Sequence, residues 1–149
     1  QFDLPGFVDA LRSVLGVGPD RATDDDLRRA WASAFEPDQR VLALIGRATC
    51  PTALFTNNGP LLEAALQHDL APVGAVFDRL LFSWHLGTTK PDPTSFPRAA
   101  AELQVHPGQI VFVDDSQANV DAARAAGWRA HRYTDALNLA AALTDEDVL

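Results

Sequence analysis

The chain has 149 residues, 47% of them apolar, with twelve basic against twenty acidic side chains and a net charge of -8. That is enough to bury one core, and the acidic surplus repels phosphate backbones and anionic headgroups, which argues against nucleic acid and membrane surfaces as partners. Cys50 is the single cysteine, methionine is absent, and neither a signal-peptide pattern nor an apolar run of about 20 residues occurs; a cytoplasmic location is expected, and the Met-free start at Gln1 points to a processed product or fragment.

The opening third has helical periodicity. Phe7, Val8, Leu11, Val14 and Leu15 recur at helical spacing, with Asp3 as cap, Pro5 in the first turn and Gly16 as the stop. Thr23 before Asp24, Asp25 and Asp26 caps a second helix, whose apolar stripe is Leu27, Ala30, Trp31, Ala34 and Phe35 before Glu36 and Pro37 break it. Val41, Leu42, Leu44 and Ile45 form a third periodic stretch leading to Gly46. From Cys50 short apolar runs alternate with longer helical patterns, as a parallel sheet with crossover helices requires. Strands are expected at Thr52 to Phe55, Arg79 to Ser83, Ile110 to Val113 and Ala130 to Tyr133. Helices are expected at Pro60 to His68, about Ser95 to Gln104 with Pro97 inside it, Gln117 to Ala126, and Ala136 to Leu143. The fold class is therefore α/β.

Three polar clusters follow strand ends, where ligands of open α/β sheets bind. Thr56-Asn57-Asn58-Gly59-Pro60 offers a hydroxyl and a run of amides that can cradle a phosphate; an ordinary N-capping loop is the plainer alternative. Lys90, in Lys90-Pro91-Asp92-Pro93, sits on a loop stiffened by two prolines, which aims one positive charge; an exposed solubility lysine is the alternative. Trp84 and His85 nearby suit a packed aromatic and a half-exposed histidine better than a site pair. Asp114 and Asp115 close the third strand, and adjacent carboxylates repel unless a cation lies between them; a hard ion such as Mg2+ suits them, the alternative being one helix cap and one solvated acid.

Taken in order, these clusters resemble the later motifs of the haloacid dehalogenase-like hydrolase superfamily, in the subgroup with a small helical cap. Thr56-Asn57 resembles the second motif, Lys90 in Lys-Pro-Asp-Pro the third, and Val113-Asp114-Asp115-Ser116 with Asn119, followed by Ala-Ala-Arg-Ala-Ala-Gly-Trp, the fourth. The resemblance implies a Rossmann-like parallel sheet over residues 48–149 and a helical cap segment over 1–47. It implies a Mg2+-dependent phosphatase of small phosphorylated metabolites, acting through an aspartyl-phosphate intermediate. The Thr56 hydroxyl and Asn57 backbone would hold the phosphoryl group, and Lys90 would pair with the nucleophile and the phosphate oxygens. Asp115 would be the direct metal ligand and Asp114 a second or water-mediated one, with Ser116 and Asn119 tying down the loop.

The family's first motif, Asp-x-Asp at the end of a central first strand, has no acceptable copy here. Phe2-Asp3-Leu4-Pro5-Gly6 looks superficially like it, but proline replaces the second aspartate, no apolar strand precedes it, and the segment suits a helix start. The first central strand is thus expected to be missing from the chain, with its motif upstream of Gln1, leaving two ladder edges unpaired unless an N-terminal segment or partner strand fills the gap. A catalytically inactive binding relative and a metal-independent 2-haloacid dehalogenase are the alternatives. A phosphorylation receiver domain has its acid pair first and its lysine last, the reverse of the order here.

Overall fold

The computed structural model describes residues 3–149; Gln1 and Phe2, and with Phe2 one residue of the superficial Asp-x-Asp look-alike, lie outside the described residues. Helix α1 (Leu4–Leu15) begins where the Asp3 side chain accepts the Gly6 N–H at 2.9 Å and ends at Gly16, whose φ of 65° is the left-handed geometry that glycine adopts without strain. Helix α2 (Asp24–Ala32) opens on a reciprocal capping box: the Thr23 hydroxyl accepts from the Asp26 N–H, and the Asp26 carboxylate accepts from the Thr23 N–H. The helix stops at Ala32, short of the expected stripe, yet Phe35 still packs against Leu62, Leu66 and Phe82. Helix α3 (Gln39–Ile45) turns Val41 and Leu44 toward Leu139, Leu143 and Val148 at the chain's far end, so it packs with the sheet layer.

The remaining elements are β1 (Ala53–Thr56), α4 (Pro60–Gln67), α5 (Ala71–Gly74), β2 (Arg79–Phe82), α6 (Ser83–Leu86), α7 (Ser95–Leu103), β3 (Val111–Asp114), α8 (Gln117–Ala125), β4 (Arg129–Arg132) and α9 (Ala136–Asp145), with a 3-10 turn at Pro107–Gln109. All four expected strands form, each within a residue or two of its expected bounds. Pro97 is the third residue of α7, in the first turn, where a missing N–H leaves no carbonyl unbonded, so the helix runs from Ser95 with Pro97 inside it. Ser83, expected to end a strand, instead starts α6; like α5, that helix is a single turn, too short to carry a periodic signal.

The strands pair in parallel, but as two separate pairs, β1 with β2 and β3 with β4. Thr52 and Ile110 each give their carbonyl to the neighbouring strand of their own pair. In a parallel ladder, successive residues bond to opposite sides. Leu54 and Thr56 therefore face β2, Phe112 and Asp114 face β4, and the backbone groups of Ala53, Phe55, Val111 and Val113 point to the sides that no strand occupies among the described residues. Those open sides adjoin: the Phe55 ring lies 6.4 Å from Phe112 across them. Phe96 and Trp128 complete this aromatic core, and edge-to-face pairs at 5.3 to 5.7 Å join Phe96, Phe112 and Trp128. Burial of each such side chain contributes about 1.5–3 kcal/mol, so the core ties the two strand pairs together without any ladder hydrogen bond between them.

Candidate active site

The expected site residues lie at or just after the carboxyl ends of β1 and β3 or on the loop carrying Lys90, with Asn119 in the first turn of α8. Thr56 ends β1 and is buried; Leu54, two residues before it on the same face of the strand, packs against the cluster that holds Leu62 and Leu66 of α4. Its hydroxyl accepts from the Asn58 N–H at 3.2 Å and from the Asn58 side chain at 3.0 Å, which leaves the hydroxyl proton free to be donated outward. Gly59 caps α4, and its Cα faces the Phe7 ring of α1, 3.5 Å from where a Cβ would stand. The helical segment thus touches the loop that follows Thr56.

Lys90 is held at both ends. Its backbone is clamped by Asn57, whose carboxamide donates to the Lys90 carbonyl at 2.8 Å and accepts from the Lys90 N–H at 2.9 Å. Its ammonium donates to the Phe55 carbonyl at 2.8 Å and to Asp114 Oδ2 at 2.7 Å. Only 8% of the Lys90 side chain and 9% of the Asp114 side chain are exposed. The Phe55 and Phe112 rings flank the ammonium at 4.9 and 5.2 Å from their centroids, close enough for cation–π attraction. Lys90 is therefore a buried, aimed charge, and the exposed-lysine alternative does not describe it.

Asp114 and Asp115, adjacent in sequence, have different surroundings. The Asp114 carboxylate takes hydrogen bonds from Lys90, from the Ser116 N–H at 2.9 Å and from the Asn119 side chain at 2.9 Å. Burial is the largest influence on its acidity and pushes it up; the three hydrogen bonds and the Lys90 charge together outweigh burial and hold the carboxyl below the usual range. Ser116 also caps α8 by accepting the Asn119 N–H, so the loop after β3 is closed on itself. Asp115 is exposed, and its carboxylate has no hydrogen-bond or ion-pair partner among the described residues. Its carbonyl, however, accepts from Arg132 Nε at 3.2 Å. Arg132 escaped the sequence reading because only the β3–β4 register, Asp114 opposite Arg132, brings it there. Phe55 and Phe112 were legible as strand residues, but not as the walls around Lys90. His85 bonds Glu63 at 3.0 Å, a surface pair on α6 and α4.

Among the described residues no group of three His, Cys, Asp or Glu side chains could enclose a metal ion. Mg2+ does not require such a cage: it keeps several waters and takes one or two carboxylates together with phosphate oxygens. The unpartnered Asp115 carboxylate fits that demand, whereas both Asp114 oxygens are already engaged by Lys90, Ser116 and Asn119.

The sequence profile of the haloacid dehalogenase-like hydrolases matches residues 11–127. The chain belongs to that family. Among the chain's curated relatives is Phosphatase MT3486 of Mycobacterium tuberculosis, 30% identical over 128 residues, which cover 84% of this chain and 58% of that protein. D-ribitol-5-phosphate phosphatase of Bacteroides thetaiotaomicron is 28% identical over 114 residues, covering 71% of this chain and 55% of the other. The chain thus spans somewhat more than half the length of the curated relatives it matches. Its fold is shared with a HAD-like family hydrolase from Porphyromonas gingivalis, with a TM-score of 0.74 at 23% identity over 97% of this chain and 73% of that one. It is shared as well with a HAD family enzyme from B. thetaiotaomicron solved with magnesium and inorganic phosphate, with a TM-score of 0.72 at 20% identity over 89% and 70% of the two chains.

Proposed function

We propose that this hydrolase is the larger part of a cytoplasmic, Mg2+-dependent phosphatase of small phosphorylated metabolites. The observation that carries this reading is the convergence of a buried threonine hydroxyl, a buried lysine ammonium and an unpartnered aspartate at the carboxyl ends of β1 and β3. Thr56 supplies a hydroxyl donor, and the amides around Asn57 supply further ones for phosphoryl oxygens. Lys90 presents a fixed positive charge that needs no reorganisation as negative charge develops. Asp115 would hold the metal and Asp114 would orient Lys90 beside it, with Ser116 and Asn119 keeping the Asp114 carboxylate in place. Mg2+, when bound, neutralises phosphoryl charge and orients the ester. Phosphatase names on both curated relatives, and a sugar-alcohol phosphate in one of them, support this substrate class.

The nucleophile belongs to the same reading. A parallel strand from outside these 149 residues, from the same polypeptide or a partner, would fill the space between β1 and β3 and carry an Asp-x-Asp to the ammonium of Lys90. Its first aspartate would form the aspartyl-phosphate that water then hydrolyses. The open N–H groups of Ala53, Phe55, Val111 and Val113, and the carbonyls of these residues other than Phe55, whose carbonyl takes the Lys90 ammonium, match what such a strand pairs with. Residues 1–47 would form the helical cap segment, with α1 and α2 covering the site loop through Phe7 and α3 anchoring the segment to the sheet layer.

The test compares the 149-residue chain with the same chain extended by such a strand, assayed on a generic phosphate ester with Mg2+ and with EDTA. The extended protein is expected to hydrolyse the ester only with Mg2+, and the shorter chain to be inactive or poorly stable. Mg2+-dependent turnover by the shorter chain overturns the missing-strand reading; turnover that survives EDTA overturns the metal assignment, and EDTA-resistant halide release from a 2-haloacid restores the dehalogenase alternative.

A further inference from the structure

We infer that the Asn57 side chain is a positioning residue for Lys90 and does not itself bind the phosphoryl group, an assignment that rests on the phosphatase reading above. A carboxamide has one acceptor oxygen and a donor nitrogen in a plane, the same pattern as a peptide edge. Asn57 uses both on the Lys90 peptide, 33 residues away in sequence, at 2.8 and 2.9 Å. The Lys90 side chain then turns back and donates to the carbonyl of Phe55, two residues before Asn57. The result is a closed brace: the loop after β1 holds the lysine's backbone, and the strand just before that loop holds its ammonium. With its oxygen and one of its two Nδ2 hydrogens engaged on the same residue, the Asn57 carboxamide is held in the plane of that contact and committed to the loop, which leaves phosphate contact to its backbone in this reading.

The brace explains why an amide is suited to this position. Aspartate would keep an acceptor for the Lys90 N–H but would set an anionic oxygen against the Lys90 carbonyl. Alanine would leave both peptide groups of Lys90 to water, and the ammonium would no longer be aimed from two sides. The Lys90 carbonyl precedes Pro91, which has no N–H, so within the Lys90-Pro91 link the loop has a single amide proton with which to anchor itself, and that proton goes to Asn57.

The experiment is a double-mutant cycle on the full-length protein, reading inorganic phosphate affinity by calorimetry with Mg2+ present for the wild type, Asn57→Ala, Lys90→Ala and the double variant. In parallel, NMR follows the Lys90 ammonium protons, whose burial and hydrogen bonds make them exchange slowly. Asn57→Ala is expected to weaken phosphate binding by about tenfold and to abolish the slow ammonium signal, while the double variant binds no more weakly than Lys90→Ala. Asn57→Asp, which keeps one of the two bonds, should fall between Asn57→Ala and the wild type. Additive losses in the double variant, or a slow Lys90 signal that persists in both Asn57 variants, overturn the inference. If Lys90→Ala binds phosphate as the wild type does, it is the phosphate-site reading that fails, and the ammonium signal alone then decides whether the brace exists.

Discussion

Lys90 and Asp114 form the pair on which the site's electrostatics turn. Both are nearly buried, and the bond between them measures 2.7 Å. Removing one member leaves the other charge buried without its partner, which costs far more than a surface pair is worth. Lys90→Met is therefore expected to destabilise the protein by about 3 kcal/mol at neutral pH, read from urea unfolding midpoints. The pH dependence has a definite sign. Because the Asp114 carboxyl sits below its ordinary value when folded, its contribution is complete above the unfolded carboxylate pKa near about 4 and fades as pH falls from there through the lower folded value. The gap between wild type and Lys90→Met should accordingly shrink below about pH 4; a gap that widens in acid would contradict this account of the pair. Asp115 sits in a different setting, exposed and without a carboxylate partner among the described residues, so the two neighbouring acids differ in their surroundings despite sharing one motif.

Among the elements, α2 is the one whose local chemistry is most fully visible in its sequence. Thr23 and Asp26 close the capping box; the Thr23 hydroxyl, which also donates to the Asp26 carboxylate at 2.6 Å, and then the Thr23 N–H lower the Asp26 carboxyl to about 2. Thr23→Ala should cost about 1 kcal/mol of stability and move the Asp26 midpoint back toward the ordinary carboxylate range, which carbon-detected NMR titration of Asp26 measures directly. Loss of stability with an unmoved Asp26 midpoint would separate the cap from the acid. Strands and long helices were legible because each carries a period. The short helices α5 and α6 were not, since four residues make one turn and present no stripe. Phe35 shows the converse: its spacing fits the α2 stripe, but the helix ends before it, and packing on Leu62 and Phe82 keeps it partly buried in a turn instead.

For the whole molecule the decisive feature is that the sheet consists of two pairs whose open sides adjoin. Amides of Ala53, Phe55, Val111 and Val113 have no ladder partner there among the described residues, while those of Leu54, Thr56, Phe112 and Asp114 are bonded within their pairs. Hydrogen exchange on the 149-residue chain should show this alternation, with the first set exchanging faster, and a strand supplied between β1 and β3 should slow that set selectively. Uniform protection along β1 and β3 would show that the open sides are already closed.

The sequence by itself determined the α/β alternation, the capped helices at the start, and the three polar clusters at strand ends, because periodicity, caps and turn chemistry are local and survive without knowledge of partners. It ranked Asp115 above Asp114 as metal ligand, and gave the Asn57 backbone to the phosphoryl group, only through the family resemblance; nothing local separated the surroundings of the two acids or gave the Asn57 side chain a partner. Tertiary structure alone decided that Lys90 consumes Asp114 and leaves Asp115 open, that Asn57 grips the Lys90 peptide, and that Arg132 reaches the Asp115 carbonyl. Each of those facts depends on which groups meet across 17 to 33 residues of chain, and hydrogen-bonding capacity spent on a distant partner leaves no trace in local sequence.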